Sequence, residues 1–356
     1  MKIYFDIDLV SGTRYGMTIA TVELMKALQK DGVEVINFAA GRPKHISEHM
    51  AYMKSEGFKV LVCPIPRKIL GILNKFGICI ETLFLGRYDY FIQIGLHMLR
   101  HIPKKKYIIS IHDTVGLRYP KEEQPFPVNS QQMVNKAGMI LTVSEFSKNE
   151  IIHFFKIKAD SVIVIPNGCD LKRFRIYDRE MIQKVMEKYS LPDTYFITYG
   201  GKSARKNINF LLESYEKWSD KDKPGLVIFG HKIERNIAGV YPLGYIPDED
   251  VALILSGAKA LVFPTYYEGF GLPILEAFAC AVPVICSKAS SLPEVTQGNA
   301  VFFNPVDKED LIKKLSEFIE DMKGHKALID KGLEIAQNSS WEKAASQLKR
   351  ILEKIS

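Results

Sequence analysis

The sequence contains the stretch Glu268-Gly269-Phe270-Gly271-Leu272-Pro273-Ile274-Leu275-Glu276 directly after an apolar run at 260–264. The run predicts a buried parallel strand, because strands covered on both faces are continuously apolar. The two glycines allow the backbone to approach a ligand closely, and Pro273 favours a first helical turn. A strand, a glycine loop and a helix start predict an anion site, here flanked by carboxylates that accept hydrogen bonds from hydroxyls. A nucleotide sugar, both phosphorylated and polyhydroxylated, satisfies both features.

A second glycine loop follows another predicted strand. Residues 200–208 read Gly-Gly-Lys-Ser-Ala-Arg-Lys-Asn-Ile, with Asn207 as the expected helix cap. Arginine engages a diphosphate through its planar fork, and lysine engages it as a point charge. The loop resembles the end of a Walker A motif, but that motif needs glycine where Phe196 stands, so we exclude it. The alternative interpretation is a solvated basic loop with an ordinary cap.

Strand and helix patterns alternate through the whole chain. Predicted strands in the first half lie at residues 2–8, 33–38, 58–63, 89–94, 106–111, 139–143 and 161–165. Those in the second half lie at residues 194–199, 226–229, 260–263, 282–286 and 301–303. Such alternation favours an α/β fold with parallel, doubly wound sheets. The charged stretch from Lys172 to about Tyr189 has no strand character and predicts a domain boundary.

We therefore expect two Rossmann-like domains that face each other. The first spans residues 1–173 and the second spans 174–340. A C-terminal helix at 341–356 has an apolar stripe of Leu348, Ile351, Leu352 and Ile355, and it can cross back to the first domain.

The composition is that of a soluble globular protein. Of 356 residues, 47% are hydrophobic and 25% are charged. The N-terminus becomes acidic too early for a signal peptide, and no apolar run approaches the roughly 20 residues that span a bilayer. The five cysteines form no CxxC pair and predict reduced core residues. We expect a cytoplasmic protein.

The positive charge lies in the first half of the chain. Residues 1–174 contain 24 Lys and Arg against 16 Asp and Glu, whereas the remainder contains 24 against 25. The sequence lacks a nucleic-acid reader motif, so nucleic acid is not expected as a partner. Residues 67–86, with Arg100 and Lys104-Lys105-Lys106, predict instead a basic amphipathic surface for anionic lipid. The alternative is a core helix with solvated lysines.

The motifs also match a known family. Residues 268–276, Pro283-Val284-Ile285 and residues 290–295 resemble the retaining glycosyltransferases of family 4. Further motifs follow in the family's order at 143–147, 165–168, 205–207 and 244–246. The resemblance covers most of the chain and is most specific between residues 200 and 295. It implies the GT-B architecture and a mannosyltransferase-like branch.

The resemblance implies roles residue by residue. Glu276 would hold the ribose hydroxyls of the donor, and Glu268 would contact the transferred sugar. Arg205 and Lys206 would neutralise the diphosphate, while His112 would face the reacting sugar. The other implied donor contacts are Gly12, Gly201, Lys202, Gly244, Tyr245, Ile246, Gly269, Phe270, Gly271 and Leu272.

The implied reaction uses no metal or other cofactor. Two cations and a helix start stabilise the leaving diphosphate, and attack occurs on the face that the diphosphate leaves. One departure affects the phosphate contacts: many members carry an arginine where this chain has Gly201, and Lys202 is the candidate replacement. A two-carboxylate hydrolase is also available from the residues, but it leaves Arg205 and Lys206 unexplained.

Several residues have a structural alternative. His112 and Asp113 can be ordinary strand-end residues, Ser144 can cap a helix, and Asn167 can serve a turn.

The sequence thus predicts transfer of a hexose, with GDP-mannose as the first candidate donor and UDP- or dTDP-sugars as alternatives. The acceptor is a carbohydrate or lipid-linked hydroxyl in assembly of a surface polysaccharide such as lipopolysaccharide. The protein would be cytoplasmic, either free or peripherally bound to the cytoplasmic face of the membrane. A sugar-nucleotide epimerase and a non-catalytic nucleotide-sugar-binding scaffold are the alternatives.

Overall fold

The computed structural model describes residues 1–10, 16–41, 43–201, 203–230, 233, 235–321 and 324–355, without the side chains of 43–45 and 81. The chain divides into two compact units. One contains Met1–Gly168 and Trp341–Ser356, and the other contains Cys169–Ser340. The boundary lies before residue 173 because the Cys169 N–H donates to the Ser339 carbonyl oxygen and Phe174 is buried in the second unit's core.

The described part of the first unit contains a parallel seven-stranded sheet. Its strands are β1 (Lys2–Asp6), β2 (Glu34–Ala40), β3 (Lys59–Cys63), β4 (Tyr90–Ile94), β5 (Tyr107–Ser110), β6 (Met139–Thr142) and β7 (Val162–Val164). Their order is β3-β2-β1-β4-β5-β6-β7. All five residues of β4 are buried, as a central strand with both faces covered requires. The predicted strands of this half are confirmed with small shifts at their ends.

Helices cover this sheet. They are α1 (Gly16–Lys30), α2 (Pro43–Ser55), α3 (Arg67–Lys75), α4 (Val115–Arg118), α5 (Ser130–Lys136), α6 (Glu145–Phe155) and α14 (Trp341–Ile355). The C-terminal helix α14 belongs to this unit, as predicted, and packs on α1. Leu348 and Leu352 are fully buried, whereas Ile355 is exposed. The Tyr90 hydroxyl donates to the Leu352 carbonyl oxygen (2.8 Å), which ties α14 to β4.

The described part of the second unit contains a parallel six-stranded sheet. Its strands are β8 (Tyr195–Tyr199), β9 (Gly225–Phe229), β10 (Val240–Gly244), β11 (Ala260–Phe263), β12 (Val284–Ser287) and β13 (Val301–Phe303). Their order is β10-β9-β8-β11-β12-β13. Its helices are α7 (Arg179–Lys188), α8 (Ile208–Lys217), α9 (Asp248–Ser256), α10 (Leu272–Ala279), α11 (Leu292–Val295), α12 (Lys308–Glu320) and α13 (Gly324–Asn338).

Two elements of this unit were not predicted. Strand β10 was missed because it is a partly exposed edge strand that contains Pro242, and proline in a sheet is tolerated mainly at an edge. The charged stretch after Lys172, predicted as a domain boundary without strand character, follows the boundary at residue 168 and contains helix α7, whose Val185 and Met186 are buried.

The strand order places a switch point between β8 and β11. Helices that follow these neighbouring strands turn to opposite faces of the sheet, so the loops at their carboxyl ends border a crevice. These two loops are the glycine loops of the sequence.

No helix among the described residues is long and apolar enough to cross a membrane.

Candidate active site

The loop after β11 turns sharply into helix α10. Gly271 has a φ of 106°, a left-handed conformation that favours glycine. A Cβ at this position would lie 3.0 Å from Leu292 Cδ2, so a side chain would also be crowded. Pro273 lies in the first turn of α10. The helix therefore begins at the predicted residue, with its N-terminus at the switch point.

The loop after β8 is bonded to the loop after β11. The Arg205 carbonyl oxygen accepts from the Tyr266 N–H at 3.0 Å. Asn207, predicted as a helix cap, caps nothing with its side chain and has a φ of 57°. Its amide instead donates to the carbonyl oxygens of Pro264 and Pro305, at 3.2 and 2.9 Å. Asn207 thus occupies the predicted N-cap position of α8, but in its left-handed conformation the side chain makes no capping hydrogen bond.

Glu268, Arg205 and Lys206 form one ion cluster across these loops. Glu268 Oε1 lies 2.9 Å from Arg205 Nη1 and 2.6 Å from Lys206 Nζ. Burial by itself raises the pKa of Glu268, but the charges and hydrogen bonds of Lys206 and Arg205 outweigh burial and hold its pKa below the ordinary value. Glu268 is therefore an anion at neutral pH. Two cations and one anion leave an excess positive charge beside the start of α10.

Serine side chains hold the loop that carries Glu268. The Glu268 N–H donates to Ser290 Oγ at 3.0 Å. Ser291 is buried, and its hydroxyl lies within hydrogen-bond distance of the carbonyl oxygens of Glu268 (3.0 Å) and Phe270 (2.8 Å). The sequence motif at 290–295 marked these residues but gave them no role. The structure shows that they fix the backbone at 268–270.

Glu276 lies in the second turn of α10 and has a partner that the sequence did not predict. The Tyr199 hydroxyl, at the end of β8, donates to Glu276 Oε2 at 2.6 Å. Burial raises the pKa of Glu276, and the hydrogen bond from Tyr199 and the charge of Arg173 offset part of this rise. Tyr199 directly precedes Gly200, so its place at a strand end was the available signal. Among the described residues, Tyr199 therefore occupies Oε2 of Glu276.

The third loop of this edge follows β10. Gly244 has a φ of 64°, and its carbonyl oxygen accepts from the Gly230 N–H at 2.6 Å. Ile246 is buried, while the ring of Tyr245 is 82% exposed. Because β10 is parallel to β8 and β11, its carboxyl end lies at the same sheet edge. Tyr245 thus presents an aromatic face at the edge that carries the ion cluster.

Gly201 leaves space for the side chain of Lys206. A Cβ on Gly201 would lie 3.0 Å from Lys206 Cγ, so the missing side chain allows Lys206 its path toward Glu268. Lys202 and Gly12 lie outside the described residues. Of the predicted residues of the second unit, the structure brings Arg205, Lys206 and Glu268 into direct contact.

His112 lies in the first unit, just beyond β5. Its carbonyl oxygen accepts from Ser147 Oγ at 3.0 Å, and the Ser147 N–H donates to Ser144 Oγ, the cap of α6. Ser144 therefore has the structural role that the sequence left open. Burial lowers the pKa of His112 to about 4, so its imidazole is neutral at pH 7. The ring borders a cavity of about 30 Å³, together with Thr21 and Thr142.

A buried charge cluster at the end of β1 was not predicted. Asp6 and Asp8 lie close to His97, a grouping able to hold a metal ion. However, Arg100 is fully buried and donates to both carboxylates, from Nε to Asp6 at 2.7 Å and from Nη2 to Asp8 at 3.3 Å. The guanidinium already supplies the positive charge, so we assign no metal here. The prediction that Arg100 belongs to a basic surface was wrong.

Two family models match the chain. The model for Glycosyltransferase Family 4 matches residues 15–173, and the model for Glycosyl transferases group 1 matches residues 181–335. The chain belongs to glycosyltransferase family 4. Its fold is GT-B. The two matched ranges together include residues of both units.

Curated relatives agree with the family assignment, and a solved structure agrees with the fold. O-antigen chain mannosyltransferase B of Escherichia coli is 32% identical over 245 residues, which are 64% of each chain. The serotype-specific mannosyltransferase WbdA of Escherichia coli is 28% identical over 62% of this chain and 29% of WbdA. The chain therefore matches less than two thirds of either relative's length. Anabaena HepE, solved with UDP and glucose, superposes with a TM-score of 0.76 at 17% identity, over 99% of this chain and 100% of HepE.

Proposed function

We propose that this protein is a retaining glycosyltransferase that moves a hexose from a nucleoside diphosphate sugar to an acceptor hydroxyl. The observation that carries the proposal is the cluster of Glu268, Arg205 and Lys206 at the switch point of the second sheet. Ligands of open α/β sheets bind at such points. Glu276 lies in the helix that starts there, and its carboxylate is placed to accept hydrogen bonds from hydroxyls of the donor.

The cations match the charge that develops in the reaction. Breaking the bond between a sugar and a diphosphate leaves negative charge on the diphosphate and positive charge on the sugar. Arg205 and Lys206, with the N-terminus of α10, stabilise the first charge. Glu268, an anion beside them, contacts the sugar and favours the second charge. This arrangement needs no metal ion to neutralise the diphosphate.

Retention follows from attack on the face of the sugar that the diphosphate leaves. The acceptor oxygen forms its bond to the anomeric carbon as the glycosyl–phosphate bond breaks, and the departing phosphate oxygen takes the acceptor's proton. Neutral His112 can donate or accept a hydrogen bond at a sugar hydroxyl, but at pH 7 it adds no charge.

GDP-mannose is the first candidate donor, and O-antigen assembly is the candidate setting. The support is that two relatives carry the names of mannosyltransferases, one of the O-antigen chain. HepE, solved with UDP and glucose, keeps a UDP-sugar in consideration. The acceptor would be a carbohydrate or lipid-linked hydroxyl, reached from the cytoplasmic face of the membrane.

A panel of nucleotides tests the donor. We expect GDP to raise the unfolding temperature more than UDP or dTDP at equal concentration, because a ligand that binds only the folded state stabilises it by about 2.7 kcal/mol at 100 times its Kd. A shift with UDP alone would reassign the donor. Absence of a shift with all three nucleotides would contradict the proposed function. Donor incubated without acceptor would change its sugar only if the protein were an epimerase.

Replacing Tyr199 by phenylalanine tests the ribose contact. The hydrogen bond from Tyr199 lowers the pKa of Glu276 against the effect of burial, so its loss raises this pKa further. As the pH falls, Glu276 becomes protonated and loses capacity to accept hydrogen bonds. We therefore expect donor affinity to begin to weaken at a higher pH in the variant than in the wild type. Calorimetric titration of the nucleotide across pH 5–8 measures this shift. Identical pH profiles would show that Glu276 does not bind the donor in its ionised form.

A further inference from the structure

Large apolar side chains are exposed along one short segment of the first unit. Ile69, Ile72, Phe76, Ile78, Leu83 and Phe84 make up about half of the large exposed apolar residues in the described chain. Phe76 is 76% exposed and Leu83 is 82% exposed. We call these six residues the 69–84 patch. Exposed apolar side chains are ordinary when scattered, but clustering of this kind marks an interaction surface.

Helix α3 explains how the patch forms. Ile69, Ile72 and Phe76 follow the i, i+3, i+7 spacing, so they share one face of the helix and its C-terminal end. Leu70 and Asn74 lie on the other face and are buried against the unit. The helix is therefore anchored by one face and presents the other to solvent. The helix is short, at nine residues, and cannot span a bilayer.

Basic residues surround the patch. Residues 67–106 contain two acidic residues, Glu81 and Asp89, and eight basic ones, Arg67, Lys68, Lys75, Arg87, Arg100, Lys104, Lys105 and Lys106. Apart from buried Arg100, all of these basic residues are exposed. Lys68 and Lys75 lie on the same side of α3 as Ile72, four residues before it and three after it.

Hydrogen bonds place the basic residues 104–106 close to those of helix α3 and to Arg87. The ring of His101 contacts the Asn74 carbonyl oxygen at the end of α3. Three residues later, Lys104–Lys106 form a turn of 3-10 helix. Lys106 Nζ donates to the Tyr88 carbonyl oxygen at 2.6 Å, next to Arg87. The two basic stretches therefore belong to one surface.

We propose that the 69–84 patch, with Lys68, Lys75, Arg87 and Lys105, docks on an anionic lipid bilayer. Ile72, Phe76 and Leu83 enter the headgroup and acyl boundary, and the lysines reach the lipid phosphates. Each basic side chain near an anionic membrane contributes attraction, and apolar insertion adds to it. A second copy of this chain would oppose like charges across the surface, which is why the charge pattern favours a bilayer.

Vesicle sedimentation tests the surface. The full chain is mixed with vesicles of phosphatidylcholine alone or of phosphatidylcholine with phosphatidylglycerol. We expect binding only to the anionic vesicles. The triple substitution Ile72→Ser, Phe76→Ser and Leu83→Ser should weaken binding to anionic vesicles by about tenfold or more. The substitutions Lys68→Ser, Lys75→Ser and Lys105→Ser should weaken it by about 10² and remove most of its dependence on salt.

Matched controls separate the surface from general effects. Ile176→Ser and Val306→Ser remove exposed apolar residues of the second unit, and they should leave vesicle binding unchanged. Nucleotide-induced thermal shifts should be equal in all variants, so a fault in the proposed transferase function is distinguished from a fault in docking. If neither the apolar triple variant nor the lysine triple variant weakened vesicle binding, the proposal would be overturned. So would a dimer in sedimentation equilibrium that the apolar triple variant dissociates, because the patch would then bind a second copy.

Discussion

Replacement of Lys206 by alanine is expected to lower kcat for donor turnover by about 10²–10³, the usual cost of losing one group that stabilises developing negative charge. Lys206 Nζ lies 2.6 Å from Glu268, and Lys206 is next to Arg205 in the 3-10 turn that precedes α8. Its charge is positioned by short loops that are bonded to each other, and alanine removes the charge from that position. Release of nucleoside diphosphate in the presence of a lipid-linked acceptor fraction measures the change.

A matched control uses Lys314. This lysine lies in the same unit and pairs with Glu317 at 2.9 Å on the exposed face of α12. Lys314→Ala should turn over donor at the wild-type rate, because Lys314 lies outside the proposed donor contacts and a surface ion pair contributes little to stability. If Lys206→Ala and Lys314→Ala had equal kcat, Lys206 would not stabilise the leaving group.

Replacement of Glu268 by glutamine is expected to separate binding from catalysis. Glutamine keeps the shape of the side chain and removes the charge that engages Arg205 and Lys206. The diphosphate then no longer competes with a carboxylate for the two cations, so the Kd of the nucleoside diphosphate should fall by about three- to tenfold. Donor turnover should fall by about 10² or more, since the anion that favours positive charge on the sugar is lost.

Calorimetry and kinetics on the same preparation check both parts. Glu317→Gln is the matched control, because Glu317 is another glutamate of the second unit, pairs with Lys314 at the surface and lies outside the set of proposed donor contacts. It should change neither quantity. Weaker nucleotide binding in Glu268→Gln would mean that Glu268 organises the cations rather than competing with the diphosphate for them.

Much of the fold could be predicted from the sequence because apolar strand runs and glycine loops are local signals. The strand–loop–helix order at 260–276 and the C-terminal helix that returns to the first unit are examples. The edge strand β10 lacked such a signal, since it contains Pro242 and is partly exposed. Helix α7 was hidden because most of its surface is charged and only Val185 and Met186 are buried.

The site was predictable where one motif carries the residue, and not where the contact joins distant segments. Glu268 and Lys206 lie in recognisable loops. Tyr199 acts on Glu276 across 77 residues, and the burial of Arg100 depends on Asp6, 94 residues away. No local pattern distinguishes a buried arginine from an exposed one. For residues 67–86 the sequence predicted an amphipathic surface and left a core helix as the alternative, and the exposure of Phe76 and Leu83 favours the surface.

The central claim is that Arg205 and Lys206 bind the diphosphate of the donor while Glu276 binds its ribose. Calorimetric affinities for the preferred nucleoside diphosphate and for its monophosphate test it most directly, without an acceptor. We expect the wild type to prefer the diphosphate, Lys206→Ala to lose most of this preference, and Glu276→Ala to weaken both nucleotides equally. A Lys206→Ala variant that keeps the full preference for the diphosphate would contradict the account.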